Sequence, residues 1–382
     1  MTAPSERGEK NPDSVYAGAR QVPAVGGGRD AHELPDGRLV AGGAGPAFRP
    51  MEVRCGVILV IAVLLAAVAL PLLAARAIGG RPPDPLPKLA ALAPVATLPA
   101  VAGVAVAASV TWWLAFFLAF PAATLVAWQI PPPQRIRHTQ AAGPLPPSYL
   151  ASSARSLRIL TINVQHGSAD PAALVRNLDR HRVDVLAVQE LTPEMVSRLA
   201  DSDISKRLSF CHLDPRSDST GTGLWARWPM TALPPVPGLT AAAPRARIDL
   251  GKQRAVILSA VHLIAPLNGQ AQRWQHELAL IRDTLIDVGT PQVVAGDFNA
   301  SRDHRPFRDL LAAGFLDCAD VAQKRPWPGF TWPAGLAILP IMRLDHVLVS
   351  KRGIAVSESR IVCVDGTDHR GVFAAIKVEA NG

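Results

Sequence analysis

Two long apolar blocks dominate the N-terminal third of the chain. Val57–Leu73 contains no charged residue, and with its flanks it is long enough to span a lipid bilayer. Leu89–Ile130 is also uncharged, and its length suits two spans with a turn near Ser109–Thr111. The pattern therefore predicts about three transmembrane helices within residues 51–133. Tryptophans, which favour membrane–water interfaces, stand near the predicted helix ends at Trp112, Trp113 and Trp128.

The segments on either side of this membrane region are polar. Residues 1–50 are rich in Gly, Pro and charge and have no apolar period, so we expect them to be disordered. Met51 directly precedes the first apolar run and is an alternative start of the chain. Proline cannot continue a helix, so Pro131–Pro133 ends the last span, and residues 134–156 form a linker. A globular domain then occupies residues 157–382.

Two features of the membrane region leave alternatives open. Ala75-Arg76-Ala77 loosely resembles a signal-peptide cleavage site, and cleavage there would leave two spans. Orientation depends on the basic residues near the spans, which we compared on the two sides of the membrane. One side has Arg38, Arg49 and Arg54; the other has Arg76, Arg81, Lys88, Arg135, Arg137, Arg155 and Arg158. By the positive-inside rule the second side, and with it the C-terminal domain, is cytoplasmic.

From Leu157 onward the hydrophobic pattern alternates between strands and helices. Predicted strands are Leu157–Val164, Val183–Val188, Gly223–Ala226, Arg245–Leu250, Ala255–Leu263, Gln292–Ala295, His346–Ser350 and Val372–Val378. Predicted helices are Pro171–His181, Pro193–Ala200 and Gln270–Asp287. Several strands follow one another without a helix between them, which favours an α/β sandwich over a doubly wound sheet.

Composition agrees with a membrane protein that meets anionic partners. The chain has 382 residues, 49% of them hydrophobic, and its mean hydropathy of +0.19 is too apolar for a purely soluble enzyme. A net charge of +8 fits nucleic acid, phosphorylated substrates or lipid headgroups, and an arginine-rich genome explains it equally well. The four cysteines show no zinc-binding spacing. The three in the domain are either one disulfide and one thiol outside the cell, or three buried thiols inside it.

Polar residues follow the ends of several predicted strands. Asn163 ends the first, Gln189-Glu190 the second, and Val261 leads into His262. Further along, PQVVAGDFNAS supplies Asp297 and Asn299, RLDHVLVS supplies Asp345, and GTDHRGV supplies Asp368 and His369. If these strand ends meet at one rim, the carboxylates repel each other unless a cation lies between them. Carboxylate and amide oxygens select Mg²⁺ or Mn²⁺.

Each of these residues also has an ordinary structural explanation. On that explanation, Asn163 closes a turn, Glu190 starts a helix and His262 is a core histidine with its hydrogen bonds satisfied. Asp345 and Asp368 are then surface acids. Six such coincidences in one domain are much less probable than any single one. The set as a whole therefore indicates a catalytic rim.

The runs TINV, DVLAVQE, VHL, GDFNAS, RLDHVLVS and GTDHRGV together resemble the endonuclease/exonuclease/phosphatase superfamily, which has the DNase I-like fold. The resemblance covers Leu157–Val378, and GDFN combined with a terminal TDH motif is specific for this group. It implies an α/β (α+β) four-layer sandwich of two mixed β-sheets flanked by helices. It also implies metal-dependent hydrolysis of a phosphoester. The apolar spans in front resemble those of membrane-anchored bacterial members, which face outward, so we expect an extracytoplasmic domain despite the arginine count.

The resemblance also implies a metal site. Glu190 is similar to the principal metal ligand, helped by Asn163, and Asp368 to an acid near the metal. Gln165 stands where many nucleases of the group carry an acid or a second polar ligand, which leaves open whether one or two metal ions bind.

The remaining rim residues resemble the catalytic groups of the family. Asp297 is similar to the residue that aligns or deprotonates the attacking water, and Asn299 would hold water or a phosphate oxygen beside it. His262 and His369 resemble the pair that grips the scissile phosphate. Asp345 resembles the acid that orients His369.

His346, next to Asp345 in the sequence, is not expected to be catalytic. Side chains alternate along a strand, so residues 345 and 346 point to opposite faces.

The substrate stays open at this stage between nucleic acid and a phospholipid headgroup. Sphingomyelinase-like relatives share the motifs, and an anchor would place the site beside lipid. The sequence contains no long basic insertion or aromatic finger of the kind that DNA-repair members use. A catalytically silent binding scaffold is the third alternative, although the complete set of rim residues argues against it.

Overall fold

The computed structural model describes residues 50–77, 86–129, 155–285, 289–322, 329–335 and 339–379. The predicted disordered segment 1–50 and linker 134–156 therefore lie outside the described residues, apart from Pro50 and residues 155 and 156. The helices are α1 Pro50–Ala67, α2 Ala69–Ala77, α3 Leu86–Ala91, α4 Ala93–Ala108, α5 Trp112–Gln129, α6 Pro171–His181, α7 Pro193–Ala200, α8 Ile204–Arg207, α9 Ala271–Leu285, α10 Arg305–Ala313 and α11 Cys318–Ala322. The strands are β1 Arg155–Asn163, β2 Val185–Gln189, β3 Phe210–Asp214, β4 Thr222–Ala226, β5 Met230–Leu233, β6 Arg245–Gly251, β7 Arg254–His262, β8 Gln292–Asp297, β9 Phe315–Asp317, β10 Asp345–Ser350, β11 Ile354–Val362 and β12 Gly371–Val378.

Among the described helices, two are long and apolar enough to cross a membrane, Arg54–Arg76 (α1 with α2) and Trp112–Gln129 (α5). Between them α4, with 16 residues, is apolar but shorter. The turn between α4 and α5 falls at the predicted position. Helix α4 approaches α1 closely at Gly103, where an added Cβ would lie 2.9 Å from the carbonyl oxygen of Ala62. The membrane-spanning role of these helices stays a prediction.

The C-terminal domain contains two six-stranded mixed sheets. The first has the order β11-β12-β1-β2-β4-β3 and the second β5-β6-β7-β8-β10-β9. Each contains one parallel pair, β1 with β2 and β7 with β8. A buried apolar layer lies between the sheets and includes Ile159 and Leu224 from one and Leu258 and Val347 from the other.

Helices cover the outer faces of both sheets. Amphipathic α6 and α7 bury Leu174 and Met195 against the first sheet. On the second sheet, α9 and α10 bury Trp274 and Phe307. Two mixed sheets flanked by helices were predicted, and the structure confirms this class. The cysteines of the domain are all free: Cys318 is buried, whereas Cys211 and Cys363 are exposed.

Candidate active site

Three predicted site residues form one row across the second sheet. His262 ends β7, Asp297 ends β8 and Asp345 begins β10. The strand registers pair His262 with Asp297 and Asp297 with Asp345. Gly296, just before Asp297, permits this close arrangement, because a Cβ there would lie 1.8 Å from the carbonyl oxygen of Val261. Strand pairing therefore places the three side chains at one rim.

The first sheet brings an amide and a carboxylate to the same rim. Asn163 ends β1, and its Nδ2 donates to Glu190 Oε1 at 3.0 Å and to Asp297 Oδ2 at 3.1 Å. Its Oδ1 accepts from the backbone N–H of Gln165 at 2.9 Å. One buried amide thus joins carboxylates that follow strands of different sheets. Asn163 was predicted as a metal ligand; the structure directs its nitrogen toward the carboxylates, and the ligand role stays a prediction.

The loops at this rim have unusual backbone conformations. Gln165, His166, Glu190 and Asn299 all have positive φ, between 45° and 56°. Non-glycine residues adopt this left-handed region at a cost, and such residues concentrate at functional sites. Glu190 is fixed further by the backbone N–H of His166, which donates to its Oε2 at 2.9 Å. The loops are therefore held in the conformation that presents Glu190 and Asn299.

The C-terminal motif completes the rim from the loop before β12. Thr367 ties this loop to the end of β1, because its Oγ1 donates to the carbonyl of Asn163 at 2.7 Å. His369 is then placed with Nδ1 at 2.8 Å from Asp345 Oδ2 and Nε2 at 3.8 Å from Asp297 Oδ2. Burial alone would lower the pKa of His369, but the carboxylates of Asp345 and Asp297 outweigh it and raise that pKa to about 10.

His262 faces His369 across the carboxylate of Asp297. Its Nδ1 lies 2.9 Å from the carbonyl oxygen of Ser219, which can only accept, so Nδ1 carries a proton. The other nitrogen, Nε2, lies 3.7 Å from Asp297 Oδ2 and 4.0 Å from Glu190 Oε1. Both imidazoles thus present Nε2 to the same small region, as expected for a pair that binds one anionic group.

Asn299 has a restricted role in this geometry. Its backbone N–H donates to Asp297 Oδ1, and its Nδ2 donates to the carbonyl of Leu263, both at 2.8 Å. The remaining Oδ1 can only accept a hydrogen bond. Of the two partners expected for Asn299, the structure therefore favours water over an anionic phosphate oxygen.

Asp368 lies beside groups that the sequence did not single out. Its Oδ2 accepts from the indole N–H of Trp332 at 3.1 Å, and its backbone N–H donates to Gln165 Oε1 at 3.0 Å. Trp332 belongs to a loop that also supplies Thr331, whose Oγ1 accepts from the backbone N–H of Asp345 at 3.3 Å. No periodicity marks this loop, so sequence reasoning missed it. The role of Asp368 as a metal ligand stays a prediction.

The donor set suits a hard divalent cation. Among the described residues, the basic partners within 4.0 Å of Glu190, Asp297 and Asp345 are histidines, with no arginine or lysine to balance the carboxylates. Asp345 Oδ1 is buried and has no hydrogen-bond partner. Ligand atoms of Asp297, Asp345 and His369 lie within 4.8 Å of one another, a second arrangement able to hold a metal ion. Uncompensated carboxylates of this kind are what Mg²⁺ or Mn²⁺ sites contain.

His346 points away from the rim, as strand alternation predicts. It is fully buried, with Nδ1 at 2.8 Å from Asp317 Oδ2 and Nε2 at 2.9 Å from the carbonyl of Ala300. Arg343 also donates to Asp317 Oδ2, at 3.1 Å, and to Asp320 at 2.7 Å. Sequence reasoning did not predict this buried ionic cluster, whose acids lie 23 to 29 positions before their basic partners. It supports β10 from the face opposite the site.

Asp317→Asn is expected to destabilise the domain by about 3 kcal/mol, because it leaves buried Arg343 and His346 with a weaker partner. Burial opposes ionisation of Asp317, but Arg343 and His346 outweigh it and hold its pKa well below the ordinary value. The stabilisation is therefore present above about pH 4 and is lost as the pH falls further. Urea unfolding of the wild type and the variant should show a difference that shrinks in acid.

Asp179→Asn is the matched control for this measurement. Asp179 pairs with Arg207 on the surface, where solvent screens the charges, so stability should hardly change. An unchanged midpoint for Asp317→Asn at neutral pH would show that the buried cluster does not stabilise the fold.

The model of the Endonuclease/Exonuclease/phosphatase family matches residues 160–369, which include every rim residue described above. No curated protein matches the chain.

Solved structures overlap the same domain at low identity. D. rerio TDP2 complexed with a single-strand DNA product is 18% identical, with 58% of this chain and 98% of that chain covered and a TM-score of 0.47. An endonuclease/exonuclease/phosphatase from Beutenbergia cavernae is 18% identical, with 59% and 72% covered and a TM-score of 0.46. A family protein from Bacteroides thetaiotaomicron is 13% identical, with 59% and 99% covered and a TM-score of 0.45.

Proposed function

This chain belongs to the endonuclease/exonuclease/phosphatase family, and from that premise we propose that its C-terminal domain is a metal-dependent phosphoester hydrolase. The observation that carries the proposal is the convergence of His262, His369 and Glu190 around Asp297. Nε2 of each histidine lies within 3.8 Å of Asp297 Oδ2, and Asn163 joins that oxygen to Glu190.

The histidines are placed to bind the scissile phosphate. Each has its Nδ1 engaged, by Ser219 or by Asp345, so Nε2 is the nitrogen that faces substrate. His369, whose pKa is raised to about 10, is protonated on both nitrogens, so its Nε2 presents a fixed donor to a phosphate oxygen and to the charge that develops on the leaving oxygen. Nε2 of His262 acts as a donor in the same way in the doubly protonated form of that ring. Asp297, between them, aligns the attacking water and accepts its proton, while Asn299 Oδ1 accepts a hydrogen bond from that water.

Glu190 would hold the metal ion, with Asp368 as a further candidate ligand. Asn163 would join them only after its amide turns Oδ1 toward Glu190, because Nδ2 faces the carboxylates in this structure. When bound, Mg²⁺ or Mn²⁺ supplies positive charge that offsets the anionic phosphate. Glu190 is suited to this role because its side chain is only 15% exposed, is held at both oxygens and has no arginine or lysine partner among the described residues.

The first test is metal dependence. The purified full-length chain in detergent should hydrolyse bis(p-nitrophenyl) phosphate with Mg²⁺ or Mn²⁺, and the rate should fall to background after metal removal with EDTA. Adding back either ion should restore it, because the carboxylates at the rim otherwise repel the anionic substrate. Full activity in the metal-free protein, checked by elemental analysis, would overturn the proposal.

We also propose that the N-terminal helices anchor this domain in the cell membrane, with the domain on the extracytoplasmic side. Support comes from the apolar α1–α2 and α5 helices and from the resemblance to membrane-anchored members of the family. The many arginines near the domain argue for the opposite side. A reporter active only outside the cytoplasm, fused after Gly143, should be active; inactivity of that fusion together with activity of a cytoplasmic reporter would reverse the orientation.

A further inference from the structure

Helices of the membrane region contact the catalytic domain through a buried ion pair. Arg76, at the end of α2, pairs with Asp303, and their side chains are only 8% and 5% exposed. The same guanidinium lies 4.7 Å from the centre of the Trp128 ring and donates to the Trp128 carbonyl at 3.2 Å. Arg308 donates to the carbonyl of Arg76 at 3.1 Å. The ends of α2 and α5 are thus joined to one loop of the domain.

His304 forms a second link between the two parts. Its Nδ1 accepts from the backbone N–H of Ser301 at 2.8 Å, so Nε2 carries the proton and donates to the carbonyl of Pro87 at 2.8 Å. The ring is buried and also packs edge-on against Trp274, with centroids 5.0 Å apart. Burial lowers the pKa of His304 to about 4, so the imidazole is neutral near pH 7 and both hydrogen bonds persist.

The loop that makes these contacts continues directly from the catalytic rim. Only three residues lie between Asn299 and Asp303, and the four Cα-to-Cα steps that join them span at most about 14 Å. Arg76 ends one candidate membrane helix, and Trp128 lies in the last turn of another. Arginine and tryptophan at helix ends mark the membrane–water interface. The rim residue Asn299 therefore lies within about 14 Å of Asp303, whose side chain contacts Arg76 at that interface.

We propose that the helices form a docking surface for the loop Ser301–His304, and that the docked site hydrolyses the phosphodiester of a membrane lipid. The oxygen of water bonds to phosphorus and loses its proton to Asp297, while the bond from phosphorus to the diacylglycerol oxygen breaks and that oxygen takes up a proton, which gives diacylglycerol and a phosphorylated headgroup. This inference rests on the proposed hydrolase function and names its substrate class. A headgroup layer is about 5–8 Å thick on each side of a bilayer, so the distance from these helix ends to a lipid phosphate is no longer than the distance bound from Asp303 to Asn299. The substrate then reaches the site by lateral diffusion.

The charges near the loop favour lipid over nucleic acid. Polynucleotide binding requires several lysines or arginines free to contact successive phosphates. The three arginines that follow the catalytic loop are each engaged within the protein: Arg302 with Asp320, Arg305 with Asp309, and Arg308 with backbone carbonyls. A bilayer beside the loop also obstructs a long polyanion more than a single headgroup.

Docking can be tested by thiol crosslinking in the full-length chain. In a Cys55→Ser, Cys211→Ser, Cys363→Ser background, Pro87→Cys with His304→Cys should be joined by a short bis-maleimide reagent, which replaces the length of the imidazole that reaches the Pro87 carbonyl. A protease site inserted after Gly143 lets a non-reducing gel show whether the two fragments stay together. Val110→Cys with His304→Cys is the matched control, since Val110 lies at the turn between α4 and α5. Absence of the 87–304 crosslink, or equal crosslinking of the control pair, would contradict docking.

The substrate class is tested with a double variant that leaves no buried charge unpaired, Arg76→Gln with Asp303→Asn. The wild-type protein, reconstituted in vesicles of phosphatidylglycerol and phosphatidylcholine, should release phosphorus-containing headgroups. Their amount over time is measured by mass spectrometry. The double variant should lose about 10-fold or more of that rate, because docking no longer holds the site near the lipid phosphate. Its rate on soluble bis(p-nitrophenyl) phosphate should stay close to wild type. Arg305→Gln with Asp309→Asn, an exposed pair on α10, is the matched control and should change neither rate.

The outcomes separate the two proposals. No hydrolysis of the soluble diester by wild type with metal contradicts the hydrolase function itself. Hydrolysis of the soluble diester or of single-stranded DNA, without release of lipid headgroups, overturns only the lipid inference. Equal loss of both rates in the double variant would mean that the ion pair supports the fold and does not position the site.

Discussion

Asp345→Asn is expected to lower kcat by about 100-fold or more, the scale of a positioned acid–base group. Asp345 Oδ2 accepts a hydrogen bond from the Nδ1–H of His369 at 2.8 Å and so directs Nε2 of the ring toward the substrate. Asparagine has the same shape but no negative charge, so it no longer stabilises the doubly protonated ring of His369; the imidazole becomes neutral, and Nε2 loses the positive charge that it would present to the phosphate. The measurement is kcat on bis(p-nitrophenyl) phosphate with saturating Mg²⁺.

The same mechanism predicts that Asp345 and His369 act as one unit. His369→Ala should also cost about 100-fold or more, and the double variant should be little worse than either single one. His262→Ala, on the other side of Asp297, should cost a similar factor independently. If the losses of Asp345→Asn and His369→Ala simply multiply, the carboxylate does not work through the imidazole.

The structure changes the control for this experiment. The sequence predicts that His346→Ala leaves turnover largely intact. The His346 side chain points away from the rim, which is consistent with that prediction. However, His346 is fully buried between Asp317, Ala300 and Phe307. The variant is therefore expected to lower Tm while kcat per folded molecule stays near wild type. A loss of kcat in the folded variant would assign His346 a part in catalysis.

The sequence predicted the parts of the fold that rest on local rules. Helix α6 was predicted with its observed ends, Pro171 and His181, and the structure shows the local cause: Pro171 follows the capping residue Asp170, whose side chain accepts from the Ala172 and Ala173 N–H groups. Central strands such as β7 and β8 are continuous apolar runs, which periodicity identifies. Residues at the ends of these strands could be assigned to one rim because neighbouring strands of a sheet end at the same edge.

Elements without a strong local pattern were missed. Edge strands β3, β5 and β11 are partly exposed and carry mixed residues, so no clean alternation marks them. Helix α10 and strand β9 follow the catalytic motif in a stretch that begins with the polar run Ser301–Arg305, which reads as a loop. Their burial depends on partners distant in the chain.

The same contrast, between residues that a local sequence pattern marks and residues that none marks, holds in the candidate site. Motifs identified the charged residues, but not what holds them. Ser219, Thr331 and Trp332 contact His262, Asp345 and Asp368 through loops that carry no motif. The pairing of Arg76 with Asp303 depends on packing across more than 200 positions of the chain, for which a single sequence contains no pattern.

Glu190→Gln is expected to weaken Mn²⁺ binding by about 100-fold or more, since it removes the charge of the proposed metal ligand and loss of even a supporting group costs 10- to 100-fold. The carboxylate accepts from Asn163 Nδ2 at one oxygen and from the His166 N–H at the other. In glutamine one of these oxygens becomes an N–H₂ that faces a donor, so the side chain must turn away from the position that Glu190 holds. Binding can be followed by Mn²⁺ electron paramagnetic resonance, independently of turnover.

Three further measurements make the assignment of Glu190 specific. Tm should change little, because Glu190 lies at the rim and is partly exposed. Raising Mn²⁺ should recover part of the activity of Glu190→Gln and none of that of His369→Ala. Glu194→Gln, in the first turn of α7, removes the same charge close by and should bind Mn²⁺ as wild type does. Wild-type affinity in Glu190→Gln, with affinity lost in Asp345→Asn, would instead place the ion among Asp297, Asp345 and His369, whose ligand atoms lie within 4.8 Å of one another.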